Sequence, residues 1–372
     1  MRTNSKRTVI ALLQRIVLAG IVLFAIWLIL LAFRKVIPEY FISELNMRTN
    51  YPAGYVMADK ITTGLDGNLW FTESNTNQIG KFSPANNKIT EYNVPSATRN
   101  MNSGPIDITA GPDGNIWFTG SNKIGKISPK TGKVTEYDIP PANIGTNGIT
   151  AGPDGNLWFT DNQGNKIGKM SIKDGKITDY SVPTADAGLN DIVVGPDGNL
   201  WFTESDGNKI GKIYPATGNI TEYTIPSFFL PEGAYPTDIV SGPDGNLWFS
   251  EAAQNQIGKI SPATGVITEY HTTGFSGSIT ADSDGILWFL ESNKISSISP
   301  STGDITDYSI PTETNAPPGG QTDLTTDPDG NLWFTDINKN IIGKLSPTTG
   351  IFTEYSIPLR NVTEYPATIS HQ

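Results

Sequence analysis

From about residue 39 onward, short apolar runs alternate with turn residues and no helical period is sustained. The most regular apolar feature is a Trp-Phe pair at Trp70, Trp117, Trp158, Trp201, Trp248, Trp288 and Trp333. The steps between them are 47, 41, 43, 47, 40 and 45 residues, a period that marks a repeat architecture. One copy spells out four strands. Residues 191–194 form a short β-branched run, and Gly195-Pro196-Asp197-Gly198 turns the chain into 200–203. A loop leads to 209–213, and Pro215-Ala216-Thr217-Gly218 turns it again into 220–223. The apolar residues of the second strand are consecutive, as expected of a strand covered on both faces. A blade sandwiched between two others provides that burial, so the pattern predicts an all-β, seven-bladed β-propeller of four-stranded blades. The third-strand glycine (Gly80, Gly125, Gly168, Gly211, Gly258 and Gly343) is expected to let the Trp of an adjacent strand approach the backbone.

The start of the chain follows another rule. Residues 16–33 are eighteen consecutive uncharged residues, almost all apolar, bracketed by Arg15 and Arg34. At about 1.5 Å per residue, such a helix nearly crosses a hydrocarbon core of roughly 30 Å. The run is longer than the apolar part of a leader peptide and no small-x-small site follows it, which favours an uncleaved anchor. Arg2, Lys6, Arg7 and Arg15 precede it against Arg34 and Lys35 after it, placing the N-terminus in the cytoplasm and the repeats outside. The expected organisation is a basic tail (1–15), a single-pass anchor (16–33) and the propeller (34–372), ending in a short tail (359–372).

Charge and composition narrow the chemistry. No cysteine occurs, which excludes disulfides, thiolate catalysis and cysteine metal sites. Beyond residue 38 there are 20 basic against 37 acidic residues, a net −17 that repels phosphate backbones and argues against nucleic acid. A monomer is expected, with the membrane as one partner and a small molecule or protein at the propeller face as the other. The Asp-x-Asp-Gly segment at 282–285 has the look of a calcium loop, but strand residues follow where further oxygen ligands belong, so it reads as a turn. Outer-strand motifs number seven, at Ile89, Val134, Ile177, Ile220, Ile267, Ile305 and Phe352, and residues 37–42 supply an eighth. Either that segment or the Phe352 strand is supernumerary, and 37–42 is expected to close the ring in the seventh blade.

The repeated string GPDGNLWFTE, KIGKISP and GKITEY resembles the virginiamycin B lyase (streptogramin lyase) family over about residues 37–358. The resemblance implies a seven-bladed propeller that opens a cyclic depsipeptide antibiotic at its ester bond by elimination, aided by magnesium. That reaction needs a base for a proton beside a carbonyl and a cation for the resulting oxyanion. The family's Pro-His-x-Ile histidines fall on Gly277 and Thr322 here, and neither can act as base or ligand. The only histidines are His271, after an outer-strand tyrosine, and His371, in the tail.

Strand order gathers other groups at the axial mouth. The inner strands start around Lys60, Asp107, Gly148, Asp191, Asp238, Ser278 and Asp323, and six of the seven second strands end in an acid, among them Glu204 and Glu251. These residues, with Tyr235 from the apolar connector 226–237, form the expected binding site. Asp191, Asp238 and Asp323 are the candidate ligands of a magnesium or calcium ion. Three readings follow: a ligand- or partner-binding propeller, a lyase with an aspartate as base, or a metal-dependent lactonase. In the plainer alternative the acids are polar strand ends bonded to loop amides.

Overall fold

The computed structural model describes residues 55–95, 104–120, 122–140, 145–226, 233–274, 276–311 and 320–359. Its 28 strands form seven antiparallel four-stranded sheets, each from one contiguous stretch of chain and ordered from inner to outer strand. The first blade comprises Ala58–Thr63, Leu69–Glu73, Gln78–Ser83 and Lys88–Asn93. The others occupy 105–138, 146–181, 189–224, 236–271, 276–309 and 321–356. This is the expected seven-bladed propeller, and it forms one compact unit over Val56–Arg360. Among the described residues no helix is long and apolar enough to cross a membrane, and the 16–33 segment lies outside them.

The repeated residues explain one another. In the fourth blade the Trp201 indole donates to Asp197 Oδ1 (3.0 Å), which also accepts the Asn199 amide and so fixes the turn. Lys212 pairs with Asp197 (2.7 Å), lies 4.9 Å from the Trp201 ring centre, and Tyr223 stacks on that ring at 5.5 Å. In the sixth blade Asp282 does the same work from further back, accepting from the Asp284 and Ile286 amides and the Trp288 indole. The 282–285 segment thus closes a turn.

The third-strand glycine makes room for Phe, not for Trp as the sequence suggested. Gly211 pairs directly with Phe202, and a Cβ there would overlap its ring. The phenylalanine lies on the face turned to the preceding blade, beside that blade's tryptophan, so each core fills the gap between consecutive blades. Trp201 packs with Ile239, Leu247 and Phe249 of the fifth blade, and Trp333 of the seventh with Ile61, Leu69 and Phe71 of the first.

Closure uses that last interface. The Asp323 carboxylate accepts the Ile61 amide (2.7 Å), and the Thr322 and Thr335 hydroxyls both donate to the Asp59 carbonyl (2.8 Å each). The Phe352 strand, Ile351–Ser356, is the outer strand of the seventh blade and not an extra one. Residues 37–42 lie outside the described residues.

Candidate functional site

Every inner strand carries a register irregularity just after its first residue, between Ala58 and Ile61 in the first blade and at the matching place in the rest. The break frees the amide of the third residue from the ladder and re-aims its side chain. A second-strand hydroxyl recovers the amide: Thr72 accepts from Lys60, Thr119 from Asp107, Thr160 from Gly148, Thr203 from Asp191 and Ser250 from Asp238, at 2.9–3.1 Å. The same threonines donate onward to the next blade's inner strand, as Thr119 does to the Asn147 carbonyl (2.7 Å) and Thr160 to Asn190 (2.6 Å). This relay was not among the sequence-derived expectations. Its signal was a hydroxyl residue inside six of the seven apolar second strands, with Leu290 the exception.

The third inner-strand residues form a ring around the axis. Four of them fasten consecutive blades: Asp107 accepts the Ile149 amide (2.7 Å), Asp191 that of Ile239 (3.0 Å), Asp238 that of Ile279 (2.8 Å), and Asp323 that of Ile61. One oxygen of each is thereby committed to the scaffold, through an inner-strand amide of the next blade and not a loop amide. The other oxygens of Asp323 and Asp238 meet Lys60, whose Nζ lies 3.4 Å from Asp323 Oδ1 and 3.7 Å from Asp238 Oδ1, while the other Asp191 oxygen accepts the Ile192 amide (2.7 Å). Asp238 belongs to the fifth blade and Lys60 to the first, so the lysine reaches across the channel. Ser278 completes the set by donating to Asp323 Oδ1 at 2.7 Å.

The charges reshape one another. Burial and the neighbouring Asp238 hold the Asp191 proton well above the carboxylate range, and the two side chains are hydrogen bonded. Asp238 is pulled down against its burial, by Lys60 and by that bond. Of the two, Asp191 is therefore the one that favours its protonated form and Asp238 the one that favours its ionised form. Burial lifts Asp107 to about 6, with Lys60 opposing, and lifts Asp323 as well. Burial works against the ammonium of Lys60, yet the surrounding aspartates raise it well above its ordinary value.

Of the sequence-predicted residues, Lys60, Asp107, Asp191, Asp238 and Asp323 come together. Glu204 and Glu251 do not join them. Both are fully buried and turn away from the axis towards the outer strand, where burial and Glu222 lift Glu204 to about 7, and burial and Glu269 lift Glu251 to about 8. Tyr235, just before the fifth inner strand, takes a φ of 54°, a conformation few bulky residues adopt. Residues 227–232 of its connector lie outside the description, as does His371. His271 is an exposed outer-strand residue whose Nδ1 lies 3.1 Å from Gln256 Nε2.

Among the described residues no three His, Asp or Glu side chains are grouped to hold a metal ion. A cation bound by Asp191, Asp238 and Asp323 would have to displace Lys60 from Asp238 and Asp323. The second inner-strand residues, where the resemblance places histidines, are Asp59, Ile106, Asn147, Asn190, Thr237, Gly277 and Thr322.

Comparison with known proteins places this arrangement. A streptogramin B lyase structure is 36% identical, with a TM-score of 0.71 over 82% of this chain and 96% of that one. Virginiamycin B lyase from Staphylococcus aureus is 35% identical, with a TM-score of 0.67 over 75% and 92%. A catalytically inactive histidine-to-alanine form of that enzyme with quinupristin gives 36% and 0.68 over 79% and 96%. The extracellular domain of a putative one-component system from B. thetaiotaomicron, 17% identical with a TM-score of 0.62, shares the fold over 82% of this chain and 41% of that one. No match occurs among curated proteins. The sequence model of the virginiamycin B lyase family matches residues 42–228 and 174–372, and this chain belongs to that family.

Proposed function

We propose that the protein is a membrane-anchored, extracytoplasmic binding propeller, which takes a small cationic or donor-rich ligand, or a partner of that chemistry, at its axial ring. The observation that carries this reading is the ring itself. Four aspartates surround one lysine, so the ring holds more carboxyl groups than its single ammonium can neutralise, at the end of a channel whose walls are low in dielectric. The family's elimination is not expected, because a histidine-to-alanine form of the S. aureus enzyme is catalytically inactive and the positions where the resemblance places the family's histidines hold Gly277 and Thr322 here. A second reading rests on the Asp191 and Asp238 pair. A buried carboxyl whose proton affinity is raised is a stronger base once ionised, the role required either in a lyase or in a metal-dependent lactonase using magnesium or calcium.

Incubation with quinupristin and magnesium, followed by chromatography and tandem mass spectrometry, separates the three. Binding without a new species is the expected result. A linear product of unchanged mass would establish a lyase, and one heavier by a water a hydrolase. The anchor rests on the apolar run 16–33 and its flanking charges. Protease added to intact cells should nick the propeller while cytoplasmic markers survive, and full protection until lysis would reverse the orientation.

A further inference from the structure

Several blades place two acids side by side, one ending the second strand and one in the outer strand, and supply a cation for them. Lys209 lies 2.7 Å from Glu222 in the fourth blade, and Lys294 lies 2.7 Å from Asp307 and 3.6 Å from Glu291 in the sixth. In the seventh, Lys339 pairs with Glu354 while Asp336 accepts the Asn338 and Lys339 amides and the Gln321 side chain. The fifth blade departs from the pattern. Gln256 pairs with Glu251 where Lys209 pairs with Glu204, and no lysine or arginine among the described residues forms an ion pair with Glu251 or Glu269.

The strand register puts these side chains on one face. Phe249, Gly258 and Glu269 lie directly opposite one another, and Glu251 and Gln256 follow two residues along. Phe249 packs into the core between the fourth and fifth blades, so this face is covered. Glu251 is fully buried, and neither of its carboxylate oxygens receives a hydrogen bond. Glu269 Oε1 and Gln256 Oε1 are likewise buried without a donor. The Glu251 carboxylate lies over Gly258, where a Cβ would stand 2.6 Å from its Oε1. In the sixth blade Ser296 occupies that place, and its hydroxyl lies 2.7 Å from Glu291 and 2.9 Å from Asp307. The first blade also has a glutamine, Gln78, but there the Thr76 hydroxyl donates to Glu73 at 3.0 Å. Among the described residues the fifth blade alone gathers four buried acceptor oxygens with neither lysine nor hydroxyl, the ring nitrogen His271 Nδ1 meeting the amide nitrogen of Gln256 instead (3.1 Å).

Buried acceptors without donors cost free energy unless something positive meets them. We propose that the fifth blade binds a calcium ion through both oxygens of Glu251, Glu269 and the Gln256 amide oxygen, in the place that lysine takes in its neighbours. Calcium accepts roughly six to eight oxygens in flexible geometry, and water completes the set. Magnesium, held to a tighter octahedron, fits less well. The ion joins the second, third and outer strands of one blade and is separate from the axial ring.

The full chain, solubilised in mild detergent and stripped with EDTA, is titrated calorimetrically with calcium chloride while its thermal midpoint is followed. One site of about 10⁻⁴–10⁻³ M is expected, with a midpoint that climbs as calcium exceeds that value. Glu251→Gln should weaken binding at least tenfold. Gln256→Lys should abolish it and raise the metal-free midpoint, because it installs the lysine of the other blades, and a folded variant of this kind keeps the test valid if Glu251→Gln does not fold. Absence of calcium heat with folded wild-type protein overturns the proposal, as does binding that survives both substitutions. A midpoint that responds to pH but not to calcium also overturns it, since a proton on Glu251 then satisfies the pocket.

Discussion

Asp107 sits at the edge of the ring's charge network, with Lys60 and Asp323 both acting on its proton. Burial raises it from 3.8 to about 6, and Lys60 opposes the rise. Its proton is thus bound more tightly in the folded ring than in the unfolded chain. The stabilisation from that proton is full below 3.8 and is lost as pH climbs through about 6. Asp107→Asn keeps an oxygen for the Ile149 amide and cannot ionise. Relative to wild type it should gain about 1–2 kcal/mol between pH 4 and pH 7, after allowing for water in the channel. Urea unfolding of both proteins across that interval measures the gain, and parallel curves would show that Asp107 is not held up by the ring. The ring residues were legible because strand order alone puts the third inner-strand position at the axis. Glu204 and Glu251 were misplaced for a reason the sequence also contains. Each lies two residues after a phenylalanine, Phe202 or Phe249, and a period of two puts it on the face turned to the preceding blade. Which end of a strand a residue occupies had been read correctly; which face it occupies had not.

At the scale of the element, the repeat shows what a strand pattern conveys and what it leaves out. Consecutive apolar residues signalled burial on both faces, and the structure buries Leu200, Trp201, Phe202 and Thr203 completely. The partner of the third-strand glycine was less accessible, because Trp is the larger ring and the natural candidate for close approach. Register decides it: Phe202 pairs with Gly211, whereas Trp201 pairs with Lys212, whose long side chain runs over the indole. A one-residue offset exchanges the faces, and local composition does not fix that offset. The threonine relay was hidden for a related reason. Nothing about a threonine inside a strand announces that the neighbouring strand is irregular and has an amide to recover.

At the scale of the molecule the question is how a ring of separate blades stays shut. All four places of the seventh blade are filled by residues 321–356, and the first blade is equally complete over 58–93. No strand is exchanged between these two blades among the described residues. The junction instead carries the Asp323 to Ile61 bond, the two threonine bonds to the Asp59 carbonyl, the Thr63 hydroxyl on the Thr326 carbonyl (2.7 Å), and a core in which Phe82 and Tyr355 meet Trp333. Those are the kinds of contact that join the other blades, so the junction is expected to hold without help from 37–42. A segment there can add only a fifth strand, at the outer edge, where an unpaired ladder is solvated and gains little from one more partner. Deleting residues 1–45 should therefore leave the melting midpoint within about 2 °C of the full chain, since a kcal/mol shifts a domain of this size by only a few degrees. Asp323→Ala, which removes the bond to Ile61 and a partner of Lys60, should lower it by more. A fall of several degrees on deletion, matching or exceeding that of Asp323→Ala, would mean that the N-terminal segment is part of the closure after all.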